Sequence, residues 1–216
     1  MIINFLKDER KVYSQNGEDG VIEAIFKMIG TTNKYFVEFG VGGGGECNTR
    51  LLREQGWDGL QMDCDEQADS FIKKEIVTAE NINELFDKYQ VPVNFDILSI
   101  DIDGNDYWVW KAINRKPRVV VIEYNGYLPV DSRNIIKYNP NHTWNYDSYY
   151  GAGLSALNHL GKSLGYRMVY VDFQLVNCFF ILEDCLDKND NFIFRNVIRT
   201  DPIKLGHGEW VLDDVV

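Results

Sequence analysis

The sequence predicts an α/β fold built on a Rossmann-like, doubly wound and mostly parallel sheet of seven strands. Short apolar runs typical of strands alternate along the chain with segments whose apolar residues recur at helical spacing. A glycine-rich run at 40–45 follows the first of these strands, as ligand-binding turns do in such sheets. The chain has 216 residues, the length of one α/β domain. We therefore expect residues 1–216 to form a single domain.

The predicted elements follow one another in regular order. The helix at 17–30 precedes the first strand, and the helix at 46–55 ends before a glycine. The strand at 118–123 is a continuous apolar run, typical of a central parallel strand. The other strands are predicted at 35–39, 59–63, 75–78, 95–101, 167–171 and 177–182. The other helices are predicted at 81–89, 106–113 and 154–164.

Composition limits the partners and the compartment. The formal net charge is −11, whereas nucleic-acid backbones and anionic membranes are bound mainly by basic residues. The four cysteines lack zinc-site spacing, which is typical of free thiols in a reducing compartment. Neither a secretory signal nor a run of about 20 apolar residues is found. We expect a cytoplasmic protein with no nucleic-acid partner and no membrane span. The sequence leaves open whether it forms a homo-oligomer.

The glycine run fits two cofactors. Residues 40–45 satisfy the pattern G-x-G-x-x-G, and Asp63 lies near the spacing of a ribose-binding acid, which suits NAD and S-adenosylmethionine alike. Glu46 would repel a pyrophosphate at the start of the next helix, but S-adenosylmethionine carries no phosphate. Glu38 can accept hydrogen bonds from the ammonium group of that donor. These two acids favour S-adenosylmethionine over a dinucleotide.

Several motifs resemble one known family. The segment 38–44, Glu-Phe-Gly-Val-Gly-Gly-Gly, resembles motif I of class I methyltransferases. Further segments resemble the FkbM-like branch, namely 13–19, 36–40, 46–50, 99–108 and 121–124. The resemblance covers about residues 13–182. It implies a class I methyltransferase fold and methylation of sugar or glycan hydroxyls. The chain departs from the family at Gly43, where members commonly carry an acid before the next glycine.

The same resemblance implies which residues bind the methyl donor. Gln15, Glu38, Gly40 and Asn48 would hold its methionine part. Asp63 would take the ribose hydroxyls. Ala79 and Glu80 would border the adenine. The full predicted set for the donor is Gln15, Glu38, Gly40, Gly42, Gly44, Asn48, Asp63, Ala79, Glu80 and Asp101.

Acids at the ends of two strands indicate where the chemistry occurs. Asp101 and Asp103 resemble the acid pair of metal-dependent sugar O-methyltransferases, in which the first helps to bind a divalent ion and the second is the base. Asp101, Glu123 and Asn125 offer hard oxygen ligands, which suit Mg²⁺ or Mn²⁺, although the sequence leaves open whether a metal is bound. The segment 103–106 also reads as a turn and helix start. His159, on a predicted helix, is a further candidate base.

The segment 125–150 shows no clear element and is rich in aromatic residues. Aromatic faces with polar edges suit a sugar ring, so we expect this segment to be an acceptor-side loop. The sequence therefore predicts methyl transfer to a hydroxyl of a nucleotide-activated sugar or a glycan. Three alternatives stay open. They are a methyltransferase for a non-sugar small molecule, an NAD-dependent sugar oxidoreductase, and a binding module without activity.

Overall fold

The computed structural model describes residues 1–65 and 69–213. The helices are α1 (Glu18–Ile29), α2 (Arg50–Glu54), α3 (Ile82–Lys88), α4 (Asp106–Ala112) and α5 (Leu154–Ser163). The first strands are β1 (Ile2–Ile3), β2 (Tyr35–Phe39), β3 (Asp58–Asp63), β4 (Ile72–Lys74), β5 (Asn94–Ile100) and β6 (Lys116–Glu123). The later strands are β7 (Asn134–Ile136), β8 (Tyr166–Val171), β9 (Asn177–Leu182), β10 (Asn191–Phe192) and β11 (Trp210–Leu212).

The main sheet has seven strands in the order β4-β3-β2-β5-β6-β9-β8. Neighbouring strands are parallel except around β9, which runs antiparallel to both β6 and β8. From β2 the chain builds outward to β4, then returns to β5 on the other side. The strand order therefore reverses between β2 and β5, where sheets of this kind bind ligands. The predicted α/β class and the mostly parallel, seven-stranded sheet are confirmed.

Both faces of the sheet are covered, which explains why its central strands are apolar throughout. In β6, Val119 and Val121 face the side of α1 and α2, whereas Val120 and Ile122 face α3, α4 and α5. Helix α1 fits its place because its apolar residues recur at helical spacing and it ends at Gly30, whose φ is +68°. Of the helices in the described ranges, each is too short or too polar to cross a membrane.

Three of the predicted element boundaries are wrong. The helix expected at 46–55 is only α2, because the backbone before Arg50 bonds to a buried side chain instead. The strand expected at 75–78 lies earlier, as β4, and its pairing with β3 ends where the Glu75 N–H meets the Asp63 carbonyl oxygen. The segment 125–150 contains β7, which pairs with β11 from the distant C-terminal part of the chain.

Gly40 marks the closest approach of two strand ends. Its φ is +77°, and a Cβ built on it would lie 1.3 Å from the carbonyl oxygen of Asp101. That oxygen belongs to backbone and cannot swing aside. Only glycine therefore lets the ends of β2 and β5 meet at this distance.

We expect Gly40→Ala to lower the free energy of unfolding by about 3 kcal/mol or more, because left-handed strain adds to a backbone clash. Urea unfolding followed by circular dichroism measures this loss. Gly43→Ala is the matched control, because a Cβ there meets nothing within 4 Å. An equal effect of the two substitutions would contradict the packing described for Gly40.

Candidate active site

One large cavity opens at the carboxyl ends of the parallel strands. Its volume is about 1010 Å³. Each central strand contributes an acid to its wall, because the side chains that leave parallel strands meet at one edge of the sheet. The residues are Glu38 from β2, Asp63 from β3, Asp101 after β5 and Glu123 from β6. The predicted rim of acidic strand ends therefore exists as a cavity wall.

Glu38 organises the turn that follows the glycine run. The side chain is only 4% exposed. Its Oε1 accepts a hydrogen bond from the Asn48 backbone N–H at 2.7 Å. Its Oε2 accepts from the Thr49 N–H and hydroxyl at 3.1 and 2.6 Å, and from Gln61 Nε2 at 3.1 Å. Burial raises the pKa of Glu38, and these four hydrogen bonds act in the opposite direction by favouring the carboxylate.

The Glu38 carboxylate takes up two backbone N–H groups that a bound phosphate could otherwise use. Dinucleotides bind through free backbone N–H groups at the start of a helix directly after the glycines. Here the N–H groups of Asn48 and Thr49 are already bonded to Glu38, and the helix begins only at Arg50. Glu46 lies in the same turn, paired with Lys11 at 2.7 Å. The backbone N–H groups directly before this helix are therefore already bonded to an internal carboxylate.

Asp63 ties the glycine run to the end of β3. Its Oδ2 accepts a hydrogen bond from the Gly42 N–H at 2.8 Å, and its Oδ1 accepts from the Asp65 N–H at 2.9 Å. Gly42 and Gly44 both adopt positive φ, which the tight turn requires. Gly42 lines the cavity, whereas Gly44 lies behind it against Ile72. Of the three glycines predicted to bind the donor, Gly40 and Gly42 line the cavity and Gly44 does not.

Gln15 and Asn48, both predicted to bind the donor, line the cavity. Asp19 accepts the backbone N–H groups of Val12, Tyr13 and Ser14 at 2.7–2.8 Å, which curls the segment before α1 against the cavity. The Asn48 side-chain amide donates to Ser99 Oγ at 3.0 Å. The role of Asp19 was missed, although an acid in the first turn of a helix is a common cap.

Two residues predicted to border an adenine do not line the cavity. Ala79 and Glu80 lie outside the cavity lining, where the Tyr138 hydroxyl contacts both the Ala79 N–H and the Glu80 carboxylate. Ile76 and Val77 line the cavity in their place. Both residues were assigned to a predicted strand, so their place in the cavity wall was missed. The sequence signal for them is an apolar pair just beyond the carboxyl end of a short edge strand.

Three carboxylates meet beside the switch point of the sheet. Asp101, Asp103 and Glu123 each place an oxygen within 4.8 Å of the others. Burial raises the pKa values of Asp101 and Glu123 well above their usual range, and the neighbouring acids add to the effect. Glu123 Oε2 is buried and has no hydrogen-bond partner among the described residues. Such a cluster of hard oxygen atoms fits a divalent cation such as Mg²⁺ or Mn²⁺.

Asp103 is the most accessible acid of this group. It sits at the start of the turn before α4, with φ at +54°, and is exposed to the cavity. The protein atoms around it, together with the negative charges of Asp106 and Asp63, raise the pKa of Asp103 to about 6. Such a group is ionised at neutral pH and can still take up a proton, as a general base must.

Two predicted site residues are not brought to this cluster. Asn125 lies outside the cavity lining, and its Nδ2 donates to the carbonyl oxygens of Ser148 and Tyr150 at 3.0 and 2.9 Å. The amide therefore fastens the segment 125–150. His159 lies on α5, 2.5 Å from Asp213 Oδ2, and also outside the lining. His142, from the loop itself, is the histidine that lines the cavity.

The segment 125–150 forms one wall of the cavity. It contributes the side chains Tyr127, Pro140, His142, Trp144, Tyr146 and Tyr150. Arg199 and Ile203, from the C-terminal part of the chain, complete this wall. Sequence reasoning missed both, because the segment after β9 carries no motif and reaches the cavity only through the folded path of the chain.

The cavity is strongly acidic. Arg199 is the one lysine or arginine among its described lining residues, and it forms a two-point ion pair with Asp201. Eight carboxylates share the lining, namely Glu38, Glu46, Asp63, Asp65, Glu75, Asp101, Asp103 and Glu123. Like charges inside a concave site focus the potential, so the rim that these acids line favours a ligand group with positive charge over a phosphate.

Two solved structures are similar to the chain. A SAM-dependent methyltransferase from Archaeoglobus fulgidus is 16% identical, with a TM-score of 0.39, over 72% of this chain and 74% of that one. A second, from Aquifex aeolicus, is 10% identical, with a TM-score of 0.35, over 74% of this chain and 89% of that one. Neither a protein-family model nor a curated protein matches the sequence. Similarity at these levels leaves function to be inferred from the site itself.

We expect Glu38→Gln to lower the free energy of unfolding by about 2–3 kcal/mol. The substitution replaces one carboxylate oxygen by an NH2 group, so the donors that bonded to this oxygen lose their acceptor. Chemical denaturation measures the loss. Glu46→Gln is the matched control in the same turn. Glu46 is 55% exposed, so the loss of its surface ion pair should cost at most about 0.5 kcal/mol. Equal losses in the two variants would contradict the organising role of Glu38.

Proposed function

We propose that the protein transfers a methyl group from S-adenosylmethionine to a hydroxyl of a sugar, carried on a nucleotide or in a glycan. One observation carries the choice of donor. The buried Glu38 carboxylate takes up the backbone N–H groups that would otherwise bind a pyrophosphate. S-adenosylmethionine is a phosphate-free cofactor with a sulfonium and an ammonium group, so it suits this acidic cavity where a dinucleotide does not.

The proposed position of the donor follows the rim of the sheet. Gln15, Glu38, Gly40 and Asn48 would surround its methionine part, since all four line the same end of the cavity. Asp63, at the end of β3, would accept hydrogen bonds from the ribose hydroxyls. The apolar pair at 76–77 would cover the adenine. The cavity volume of about 1010 Å³ leaves room for an acceptor beside the donor.

The proposed chemistry uses the acids beside the switch point. The sulfonium group of the donor supplies an electrophilic methyl carbon. The oxygen of the acceptor hydroxyl forms a bond to that carbon while Asp103 takes the hydroxyl proton. The bond between the methyl carbon and sulfur breaks, and its electron pair stays on sulfur. Asp101 and Glu123, which lie within 4.8 Å of Asp103, would each give one carboxylate oxygen to a divalent ion, which when bound would orient two acceptor hydroxyls and lower the pKa of one.

The proposed acceptor side is the aromatic wall. Tyr127, Trp144, Tyr146 and Tyr150 all line the cavity, and the Trp144 and Tyr150 rings lie 5.5 Å apart. Aromatic faces can cover the apolar face of a sugar ring while its hydroxyls turn toward the acids. Asn125 supports this arrangement indirectly, because it fixes the loop that carries the rings.

We expect transfer of label from methyl-labelled S-adenosylmethionine to members of a panel of nucleotide sugars and glycans. Because carboxylates would hold the ion, EDTA should lower the rate at least about tenfold, and Mg²⁺ or Mn²⁺ should restore it. Scintillation counting of the separated products measures both effects. Label on phenolic compounds and never on sugars would contradict the acceptor class. The absence of transfer to any acceptor would contradict methyl transfer itself.

Substitutions of single acids connect this activity to the site. Asp103→Asn should lower turnover at least about 100-fold, because an amide cannot take up the proton. It should leave the affinity for S-adenosylhomocysteine within about threefold, since Asp103 belongs to the acceptor side. Asp131→Asn is the control, because Asp131 is an exposed acid of the segment 125–150 that lies outside the cavity lining. Unchanged turnover in Asp103→Asn would exclude this residue as the base.

A further inference from the structure

Asn177 presents an unused hydrogen-bond acceptor to the cavity, on the side proposed for the methyl-accepting sugar. It is the first residue of β9, is only 2% exposed and lines the cavity. Its Nδ2 donates to Glu18 Oε1 at 2.8 Å. Because an ionised carboxylate only accepts, this bond fixes which way the amide points. The Asn177 Oδ1 has no hydrogen-bond partner within the described part of the chain.

A second such acceptor lies directly opposite. Asn177 pairs with Glu123 in the antiparallel register of β6 and β9, so the two side chains leave the sheet on the same side. Glu123 Oε2 is also buried, lines the same cavity and has no partner in the described ranges. A buried acceptor without a donor is costly, and native proteins rarely keep one without a use. Two together indicate a place for a ligand that brings donors.

We propose that Asn177 and Glu123 form an acceptor-binding subsite for a group that carries two hydrogen-bond donors and no negative charge. A vicinal diol or an amino alcohol has this chemistry. The nearby carboxylates of Asp101 and Asp103 exclude an anion from the same place, since they lie with Glu123 in one cluster. This inference rests on the proposed methyl transfer and specifies which face of the acceptor the site would recognise.

Glu18 is the positioning residue of this subsite. Its Oε2 accepts the Asn16 backbone N–H at 2.7 Å, and its Oε1 accepts both the Asn16 and Asn177 amides, at 3.2 and 2.8 Å. The side chain is fully buried in the first turn of α1. One carboxylate thus links the segment that carries Gln15, on the donor side, to Asn177 on the acceptor side.

The test measures binding of three probes in the presence of saturating S-adenosylhomocysteine and Mg²⁺, by saturation-transfer NMR titration. The probes are methyl glucoside, glucosamine and glucuronate, which share a polyol ring but are neutral, cationic and anionic. We expect glucosamine and methyl glucoside to bind and glucuronate to bind at least tenfold more weakly. The absence of binding for all three, or tightest binding of glucuronate, would overturn the proposed subsite.

Substitution of Asn177 locates the effect. Asn177→Ala should weaken the binding of glucosamine and methyl glucoside about three- to tenfold, the value of one lost hydrogen bond. Asn177→Ser supplies a hydroxyl oxygen that can still accept a hydrogen bond, so the affinity for both probes should fall less. This variant tests the subsite if the alanine variant does not fold. Asn83→Ala is the control, because the Asn83 side-chain amide also makes two hydrogen bonds, to the Ala112 carbonyl oxygen and the Asn114 N–H, but lies outside the cavity lining.

S-adenosylhomocysteine affinity, measured by calorimetry for each variant, separates the two proposals. Unchanged affinity in Asn177→Ala, together with weaker probe binding, supports the subsite. Equal probe binding by wild type and by the folded Asn177 variants overturns the subsite while leaving the donor site intact. Failure of wild-type protein to bind S-adenosylhomocysteine would instead contradict the proposed methyl transfer.

Discussion

The buried carboxylate of Glu38 is the interaction on which the site depends. It joins the end of β2 to the turn at 46–49 and, through Gln61, to β3. Without it, the buried backbone N–H groups of Asn48 and Thr49 would have no hydrogen-bond acceptor, which costs about 1–3 kcal/mol for each group. Other turns use the same device. Asp19 and Asp96 each accept several backbone N–H groups of a turn. In each of these three turns, a buried carboxylate thus holds the backbone in place.

This choice determines what the cavity can accept. A turn that supplies its own anion cannot also bind a phosphate, so the usual advantage of a glycine-rich turn for nucleotides is lost. Burial raises the pKa values of Asp101 and Glu123, and repulsion from the neighbouring acids raises them further. A bound cation relieves that repulsion. The proposed methyl donor and the divalent ion carry positive charge, and the proposed acceptor group brings hydrogen-bond donors without negative charge. An acidic surface therefore favours all three ligands.

The sequence predicted the parts that depend on local patterns. Strand β2 lies at 35–39 as expected, because a short apolar run between turn residues has few alternatives. Helix α1 follows its apolar spacing. Distant pairings were out of reach, since nothing local in β7 indicates that it joins β11. His159 shows the same limit for sites. A histidine on a helix gives no sign of its facing side, and the fold turns this one toward Asp213 and away from the cavity.

The measurement that tests the central claim most directly is calorimetric titration of the wild-type protein with S-adenosylhomocysteine and, separately, with NADH. If Glu38 fills the anion position of the glycine-rich turn, S-adenosylhomocysteine should bind at one site per chain with micromolar affinity. NADH should then give no measurable heat of binding, because its pyrophosphate would meet the Glu38 carboxylate and the acidic wall. Tighter binding of NADH than of S-adenosylhomocysteine would contradict the claim.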